Sequence, residues 1–550
     1  MPFALSACRV RARLRPLRLS ATLAAVAAIA TAPCAARASG FETEYPDNGA
    51  RALGRAGAFV ARADDGSAIY YNPAGLTRQD GTNLYISANV MSLNQTFQPA
   101  DAHVAQGNKL YTLKYGQMEQ SLPVFVAPML ACQFDFAALP DFDFAAGVYG
   151  PAADGHRKFP DQFPVKGATY VDRNGATQDA AARLAGGQAA LTPNGMLVES
   201  TLTQIFPTLS VAWQSRDANL RLGLSLQDSI VIAQLKQGSG GAMPGQALLD
   251  VKDLFSPTGV LGVQYAPHPR FELGLSFRPP VYINASGTAK LRRYAPCPQA
   301  ADGTCKADPS LSDKFPLAGE LPLYAADEKS RDNGVTMKFE NPLWARLGVR
   351  YVHRSETVAE GQTATEATQT AKSAQNDPGL FDVELDYIYE RDSTHKFYDI
   401  TFDAKYVNIP VTGDASAQGT DILMPHLKDQ RHYQDTHEVR LGGDFNVLPG
   451  ELAVRCGTAY ETAVSPENYT HIDFPSTAKV TGAVGVGYAV SDLVELDLGL
   501  SYTHFMERTV KDSAVRLTDV QTTPSSWAIN GNGTFAGHYM VLGLSTNWHL

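Results

Sequence analysis

The sequence predicts an all-β transmembrane barrel of 14 antiparallel strands with a small N-terminal helical plug inside its lumen. Three observations carry this expectation. Apolar and polar side chains alternate with period two over most of the chain beyond residue 82, the mark of a sheet with one apolar and one polar face. The connections between these runs are alternately short and long, as the turns and outer loops of a barrel are. No stretch after residue 39 is apolar and uncharged over the roughly eighteen residues a membrane helix needs.

Composition narrows the class further. The chain has 550 residues, 44 % of them apolar and 19 % charged. That is too long for one ordinary soluble domain, too apolar for a disordered chain and too poor in charge for a coiled coil. Its formal net charge is −10. Residues 1–38 hold six arginines and no acid, which leaves 40 basic against 56 acidic side chains in the rest. Binding to a phosphate backbone needs a positive face, so no nucleic-acid partner is expected.

Residues 1–38 read as a cleaved secretory signal. An arginine-rich stretch to Arg18 is followed by an apolar run, Leu19 to Ala32, and by Ala36-Arg37-Ala38 in the A-x-A pattern. The run is too short to span a bilayer comfortably, and Thr31-Ala32-Pro33 before Cys34 does not resemble a lipidation site. Export leaves four cysteines in an oxidising compartment. Cys297 and Cys305 lie close together in a Pro/Asp/Gly-rich segment and are expected to close a small loop disulfide. A metal site there is the lesser reading, since no His or second Cys pair stands nearby. Cys132 and Cys456 fall within strands, as buried or lipid-facing thiols.

The barrel is expected to occupy residues 81–550, with strands at 82–97, 121–136, 141–150, 200–214, 218–236, 252–267, 271–287, 336–353, 380–392, 436–447, 451–464, 478–490, 493–508 and 535–549. An even number returns both termini to the periplasmic side. A soluble sandwich would show the same alternation, but three details favour the barrel. Gly-Leu-Ser recurs at 223–225, 274–276, 499–501 and 543–545, with the small residues always on the polar face. The longest connections, such as 151–199 and 292–334, alternate with turns of a few residues. Aromatic residues including Tyr85, Trp213, Tyr265, Trp344 and Trp548 fall towards strand ends, where an interfacial girdle needs them. Lys396–Tyr406 is read as part of an outer hairpin. The Thr/Ala/Gln-rich stretch 354–377 is read as a long connection where a short turn is expected.

Residues 39–80 follow another pattern. Small residues recur at three- and four-residue spacings through Gly49–Ala61, and Asn72-Pro73 ends them, because the residue before proline is pushed out of the helical region. The segment is too small to hold its own core and is expected to pack inside the barrel, whose lumen at 14 strands is wide enough to need a plug. This block resembles the hatch of the outer-membrane long-chain fatty acid transporter family, which includes aromatic hydrocarbon transporters. The likeness rests on Ser39-Gly40-Phe41, Asp65-Gly66-Ser67 and above all Tyr71, Asn72, Pro73, Ala74, Gly75 and Leu76. Gly274–Pro280, Leu347–Tyr351, Gly485–Tyr488 and Leu496–Tyr502 look like the family's middle and late strands. The chain departs from such barrels in ending Trp548-His549-Leu550 rather than in an aromatic residue.

The resemblance implies passive uptake of hydrophobic molecules across a Gram-negative outer membrane, most readily long-chain fatty acids, with aromatic hydrocarbons as the alternative. Outer loops capture the ligand, an internal apolar pocket holds it, and a kink in the third strand opens a side window into the membrane. Here Gly147, Gly150 and Pro151 are the candidates for that kink, since glycine weakens a strand and proline cannot donate to its ladder; a plain strand end would read the same. Phe159 and Phe163 are candidates for capture, with loop packing as the other reading. Arg157 and Lys158, beside His156, would attract a carboxylate head group, or simply be solvated. Asn72 is expected to hydrogen-bond the barrel wall and Pro73 to set the chain direction. No cofactor or metal is implied, and the partners are the hydrophobic ligand and membrane lipid, with the protein a monomer.

Other classes remain in view. No G-x-S-x-G occurs, and His437-Glu438 fails the zinc-protease spacing, so an enzyme lacks a motif. A general porin would share the alternation but would not need the hatch block.

Overall fold

The computed structural model describes residues 48–550 apart from 107–108, 121–123, 151–155, 160–164, 172–176, 180–196, 240–244, 295–316, 322, 325–331, 354–378, 396, 410–419, 424–425, 431, 471–476 and 515–530. Fourteen strands form one closed antiparallel barrel. They are β1 (Asn83–Pro99), β2 (Val124–Asp135), β3 (Phe142–Tyr149), β4 (Leu197–Gln214), β5 (Leu220–Asp228, continued by Ile230–Ser239), β6 (Gly245–Asp253, then Pro257–His268) and β7 (Phe271–Arg278, then Val281–Tyr294). The circuit continues with β8 (Gly334–Asn341, then Trp344–His353), β9 (Phe381–Glu390, then Phe397–Phe402), β10 (Leu427–Gln430, then Thr436–Leu448), β11 (Leu452–Glu461), β12 (Lys479–Ser491), β13 (Val494–Val510) and β14 (Gly533–His549). Each strand pairs with its neighbours in sequence. The barrel closes where β1 pairs with β14, from Asn83 opposite His549 to Pro99 opposite Gly533. Closure leaves no edge strand in lipid, which is the only way a sheet spans a membrane.

The outer face near the short turns is a band of exposed aliphatic side chains, among them Leu222, Leu275, Leu347, Leu385, Leu441 and Leu498. Their strand neighbours Arg221, Ser276, Arg346, Glu384, Arg440 and Asp497 point inward and are buried. This polar-in, apolar-out arrangement is what the alternation predicts for a barrel rather than a sandwich.

Several strands are longer than expected, because they continue into the half nearer the long loops. Phe397–Phe402, expected as part of an outer hairpin, continues β9 outward and pairs with β8 and β10. Tyr406–Ile409 joins a small outer sheet with Leu323–Tyr324 and Thr420–Leu423. A second small sheet joins Ala102–Gln106, Lys109–Tyr115, Val165–Val171 and Thr177–Asp179. Cys132 on β2 and Cys456 on β11 are free thiols, the latter on the lipid-facing side. Cys297, Cys305 and the connection 354–377 lie outside the described residues, as does the segment read as a signal. Among the described residues no helix is long and apolar enough to cross a membrane.

Candidate functional site

The segment before β1 is made of two single-turn helices, α1 (Ala50–Leu53) and α2 (Ala68–Tyr71), and a 3₁₀ turn, Pro73–Arg78. Every residue from 48 to 79 is buried except Asp64, which is partly so. So short a segment cannot bury itself; the barrel buries it. The 3₁₀ turn rests on β4, β5 and β6, and α1 on β12, β13 and β14. The hatch thus fills the lumen at the end nearer the short turns.

Charge explains why it stays there. Asp382 of β9 stands directly opposite Asp444 of β10, a like-charge cross-strand pair that by itself weakens a wall. Two hatch arginines resolve the conflict. Arg55 reaches Asp382 at 2.7 Å, Asp444 at 2.6 Å and Glu384 at 3.1 Å. Arg62 reaches Asp444 at 2.6 Å and Asp382 at 3.1 Å. The chain of ion pairs then runs both ways around the wall. Arg350 of β8 joins Asp382 at 3.0 Å to Glu272 of β7 at 2.8 Å, and Arg78 meets Glu272 at 3.0 Å. In the other direction Arg455 of β11 joins Asp444 at 2.8 Å and contacts Asp497 of β13, where Arg51 also arrives at 3.4 Å. Signs alternate along the series, with hatch and wall side chains interleaved. Buried pairs of this kind add little net stability over an apolar packing, but removing one partner strands a buried charge.

Backbone groups of the hatch are satisfied by the same wall. Asp386 accepts from the N–H of Phe59 at 2.8 Å and of Val60 at 3.1 Å. Glu384 accepts from Ala61 N–H at 2.6 Å and Arg62 N–H at 3.3 Å. These loop amides have no helix to donate to, so the carboxylates of β9 stand in for one. Within the hatch, burial pushes the Asp65 carboxyl up to about 6, against the opposing pull of Arg51 and of the Ser67 hydroxyl.

Shape completes the fit. Glycines of neighbouring strands stand opposite each other beneath the hatch: Gly223 with Gly262, Gly274 with Gly348, Gly442 with Gly457, and Gly485 with Gly499. A Cβ added at Gly274 would lie 2.5 Å from the Val60 carbonyl oxygen, and one at Gly442 2.5 Å from that of Arg55. The recurring Gly-Leu-Ser triplets acquire a reason: Gly and Ser face the hatch backbone and Leu faces lipid.

The hatch motif lies in this contact. The Asn72 side chain donates to the carbonyls of Val60 at 2.9 Å and of Val263 on β6 at 3.1 Å, and accepts from Ala74 N–H at 3.2 Å. Pro73 and Ala74 lie against Gly223 and Gly262, and a Cβ at Gly75 would strike the Ala63 carbonyl. The Leu76 carbonyl accepts from Gln133 of β2 at 2.8 Å. Tyr71 packs edge-on against Tyr70 and Phe59 with ring centroids 4.8 and 5.5 Å apart.

Above the hatch the interior changes character. The inward side chains of β4 to β9 become apolar, forming one buried cluster that includes Leu202, Val231, Val251, Ile283, Met337 and Phe339. The outward ones become polar, with Gln234, Lys252, Asn284, Ser286 and Lys338 exposed. On β5 the phase of the strand never changes: Arg221, Ser225 and Gln227 point inward below, Val231 and Ala233 above. On β7 the two prolines 279–280 shift the phase by one residue, and Asn341–Leu343 does the same on β8. Arg278 and Arg346 stand at the lower end of this apolar cluster, where the strands change phase. Arg346 is stacked 3.8 Å from the Trp344 ring centroid and 4.6 Å from that of Tyr70, and it donates to the Tyr70 hydroxyl at 3.0 Å.

Gly147 sits in an unbroken ladder, opposite Ala131 and Thr208, and a Cβ there would meet Ile69 of the hatch at 2.6 Å. Regular pairing of β3 ends at Tyr149, one residue before Gly150. Among the described residues, 124–128 of β2 then pair only with β1, and 202–205 of β4 only with β5. His156–Lys158 resumes the line by pairing with β4 at 199–201. Lys158 is exposed and Phe159 is buried. Arg157 is placed only as part of that short strand, while Pro151 and Phe163 lie outside the described residues.

Sequence reasoning missed the ion-pair series. Its signal was present: Asp382, Glu384 and Asp386 occupy one face of a strand, and Arg51, Arg55, Arg62 and Arg78 crowd a short hatch. Among the described residues no cluster of His, Cys, Asp or Glu has metal-binding geometry.

The chain matches the family described as outer membrane protein transport protein (OMPP1/FadL/TodX) over residues 26–329 and 330–547. Among solved structures, a Pseudomonas aeruginosa FadL homologue is similar at 14% identity, with 92% of this chain and 99% of that one covered and a TM-score of 0.60. The P. putida toluene transporter TodX is similar at 15% identity, covering 92% and 99%, with a TM-score of 0.53. The Ralstonia pickettii toluene transporter TbuX follows at 14% identity, 92% and 99%, and 0.50. No curated protein matches the chain. With the family matching across nearly all of its length and the hatch-filled barrel in place, the chain belongs to the FadL/TodX family of outer-membrane transport proteins for hydrophobic compounds.

Proposed function

We propose that the protein carries long-chain fatty acids passively from the cell surface into the outer membrane, as a monomer and without catalysis. The observation that carries this reading is the buried apolar cluster of the upper barrel, at whose lower end stand two guanidinium groups, Arg278 and Arg346. Burial of an acyl chain gains about 0.8 kcal/mol per CH₂, while a guanidinium suits a single carboxylate. The sealed lumen below supports a route that does not run through water. Exit then falls to the wall, and the end of regular β3 pairing at Tyr149, beside Gly147 and Gly150, is the candidate window. Residues 1–38 would be removed on export, residues 39–80 act as hatch and 81–550 as barrel, with Phe159, Phe163, Arg157 and Lys158 at the capture end.

Similarity to the toluene transporters TodX and TbuX favours a second reading, uptake of neutral aromatic hydrocarbons. Uptake of labelled oleate and toluene by expressing cells separates the two. The fatty-acid reading expects oleate uptake that falls about tenfold in Arg278→Met, the scale of one lost charge-assisted contact, with any toluene uptake unchanged. Toluene uptake without oleate uptake in the wild type overturns it in favour of the second reading.

A further inference from the structure

The wall is interrupted a second time, far from β3. Between β8 and β9 the lower ladder ends at Trp344 opposite Glu390, and the upper one resumes only at Lys338 opposite Asp399. Across this seam the Arg391 N–H donates to the Leu343 carbonyl at 2.9 Å. Beyond that bond, among the described residues, 339–342 on one strand and 392–395 and 397–398 on the other share no ladder. The chain of β9 leaves the sheet here in a short 3₁₀ turn, Asp392–Thr394. The neighbouring β7–β8 ladder skips at the same height, between Arg278 opposite Trp344 and Val281 opposite Asn341. A cavity of about 660 Å³ occupies the seam. That is the size of ordinary small-molecule sites.

Its lining shows which way it runs. Consecutive residues of two strands contribute, Tyr282 to Asn284 and Lys338 to Glu340. In a strand, consecutive side chains point to opposite faces. Ile283 and Phe339 belong to the buried apolar cluster of the upper barrel, whereas Tyr282, Asn284 and Lys338 are exposed on the outside. The cavity is therefore lined by residues of both faces of the wall, above the Arg391–Leu343 bond and below the Lys338–Asp399 pair. It opens at the level where the outer surface changes from Leu347 and Leu385 to Asn284 and Lys338, which is the upper edge of the apolar band.

We propose that this seam is a second lateral site, which takes neutral aromatic hydrocarbons and joins the apolar interior of the upper barrel to the outer membrane leaflet. The chemistry of the lining sets the ligand class. Aromatic surface comes from Phe339, Phe397 and His395, the last with its ring 6.4 Å from that of Phe339. The carboxylates Glu340 and Asp399 line the same cavity. Glu340 accepts from the Thr394 hydroxyl at 2.7 Å, and Asp399 contacts His426. With two carboxylates against the single ammonium of Lys338 the lining is net negative and disfavours an anionic head group, so an uncharged ring suits this opening better than a fatty acid. The site's binding role stands apart from the proposed function, and only its role in traffic rests on that reading.

Iodobenzene tests it, since iodine can be located by anomalous scattering in crystals of the full chain. Asn284→Trp caps the outer mouth from an exposed position, and Ser286→Trp, one step along the same outward face, is the control. Heat-shifted electrophoretic mobility checks that both variants fold. Iodine beside Phe339 and Phe397 is expected in the wild type and in Ser286→Trp, with occupancy about tenfold lower or lost in Asn284→Trp, as for an overfilled apolar pocket. Toluene uptake by cells is expected to fall in Asn284→Trp relative to Ser286→Trp. A wild-type cavity without iodine, or measurable toluene uptake that is equal in the two variants, overturns the proposal. Iodine in the seam of a protein that takes up neither toluene nor oleate would sink the transport reading and leave the binding site standing.

Discussion

The two halves of the lumen are built from the same strands and do opposite things. Near the short turns the inner wall is charged and holds a hatch by alternating ion pairs, hydrogen bonds and close backbone contact. Near the long loops the inner wall of β4 to β9 is apolar, and the described residues from outside the barrel strands that join its cluster, Leu323, Ala404 and Val407, are apolar too. The contrast separates two tasks that an uptake channel for greasy molecules faces. Water and ions are stopped by filling the lumen with groups that satisfy one another, and the cargo is accepted by a surface with nothing to satisfy. Mutations in one half should therefore leave the other's task intact.

The largest effect is expected from Asp444→Ala. It takes from Arg55 and Arg62 of the hatch and Arg455 of the wall the one carboxylate all three share, leaving them Asp382 and Asp497. The loss is bounded by the roughly 3–5 kcal/mol of a buried charge with no partner left. A leak should appear as raised conductance in planar bilayers, with a lower unfolding temperature, while oleate binding to the purified protein persists. Wild-type conductance in this variant would break the comparison from below.

A smaller effect belongs to the upper half. Met337→Ala removes part of the buried cluster and should weaken oleate binding by about tenfold or more, the equivalent of roughly 1.5–3 kcal/mol of apolar contact. Its conductance should stay at the wild-type level. If binding is unchanged, the apolar cluster is not where the ligand rests.

The smallest effect concerns pH. Asp65 is pushed up to about 6 by burial in the seated hatch, above an ordinary value of about 3.9. Protonation is therefore favoured by the folded hatch, and Asp65's contribution is fully present below the ordinary value and lost as pH rises through about 6. Conductance should rise modestly across that window in the wild type, and this component should vanish in Asp65→Asn. The same pH profile in both proteins would remove Asp65 from the account.

Much of this was legible in the sequence because it is local. A period of two survives in any strand, so Leu222, Leu224 and Leu226 already declare a lipid face, and the short turns at Ser215–Ala218 and Leu448–Gly450 already declare which strands are neighbours. Asn72-Pro73 marks the hatch's end through backbone sterics alone. The wall's continuation above the membrane was harder to read. In Ile230-Val231-Ile232-Ala233 both faces are apolar, so alternation no longer says which side is in.

By itself, then, the sequence determined that there is a barrel, where its strands run, and which segment is unlike them. Only the tertiary structure decided what that segment is held by and where the pairing of the wall stops. The meeting of Arg55 with Asp382 and Asp444 joins residues more than three hundred positions apart, and no local propensity encodes such a pair. The seam between β8 and β9 likewise follows from where two ladders stop, which depends on register across the closed sheet. Periodicity is a property of one strand; charge compensation and interrupted pairing are properties of strands brought together.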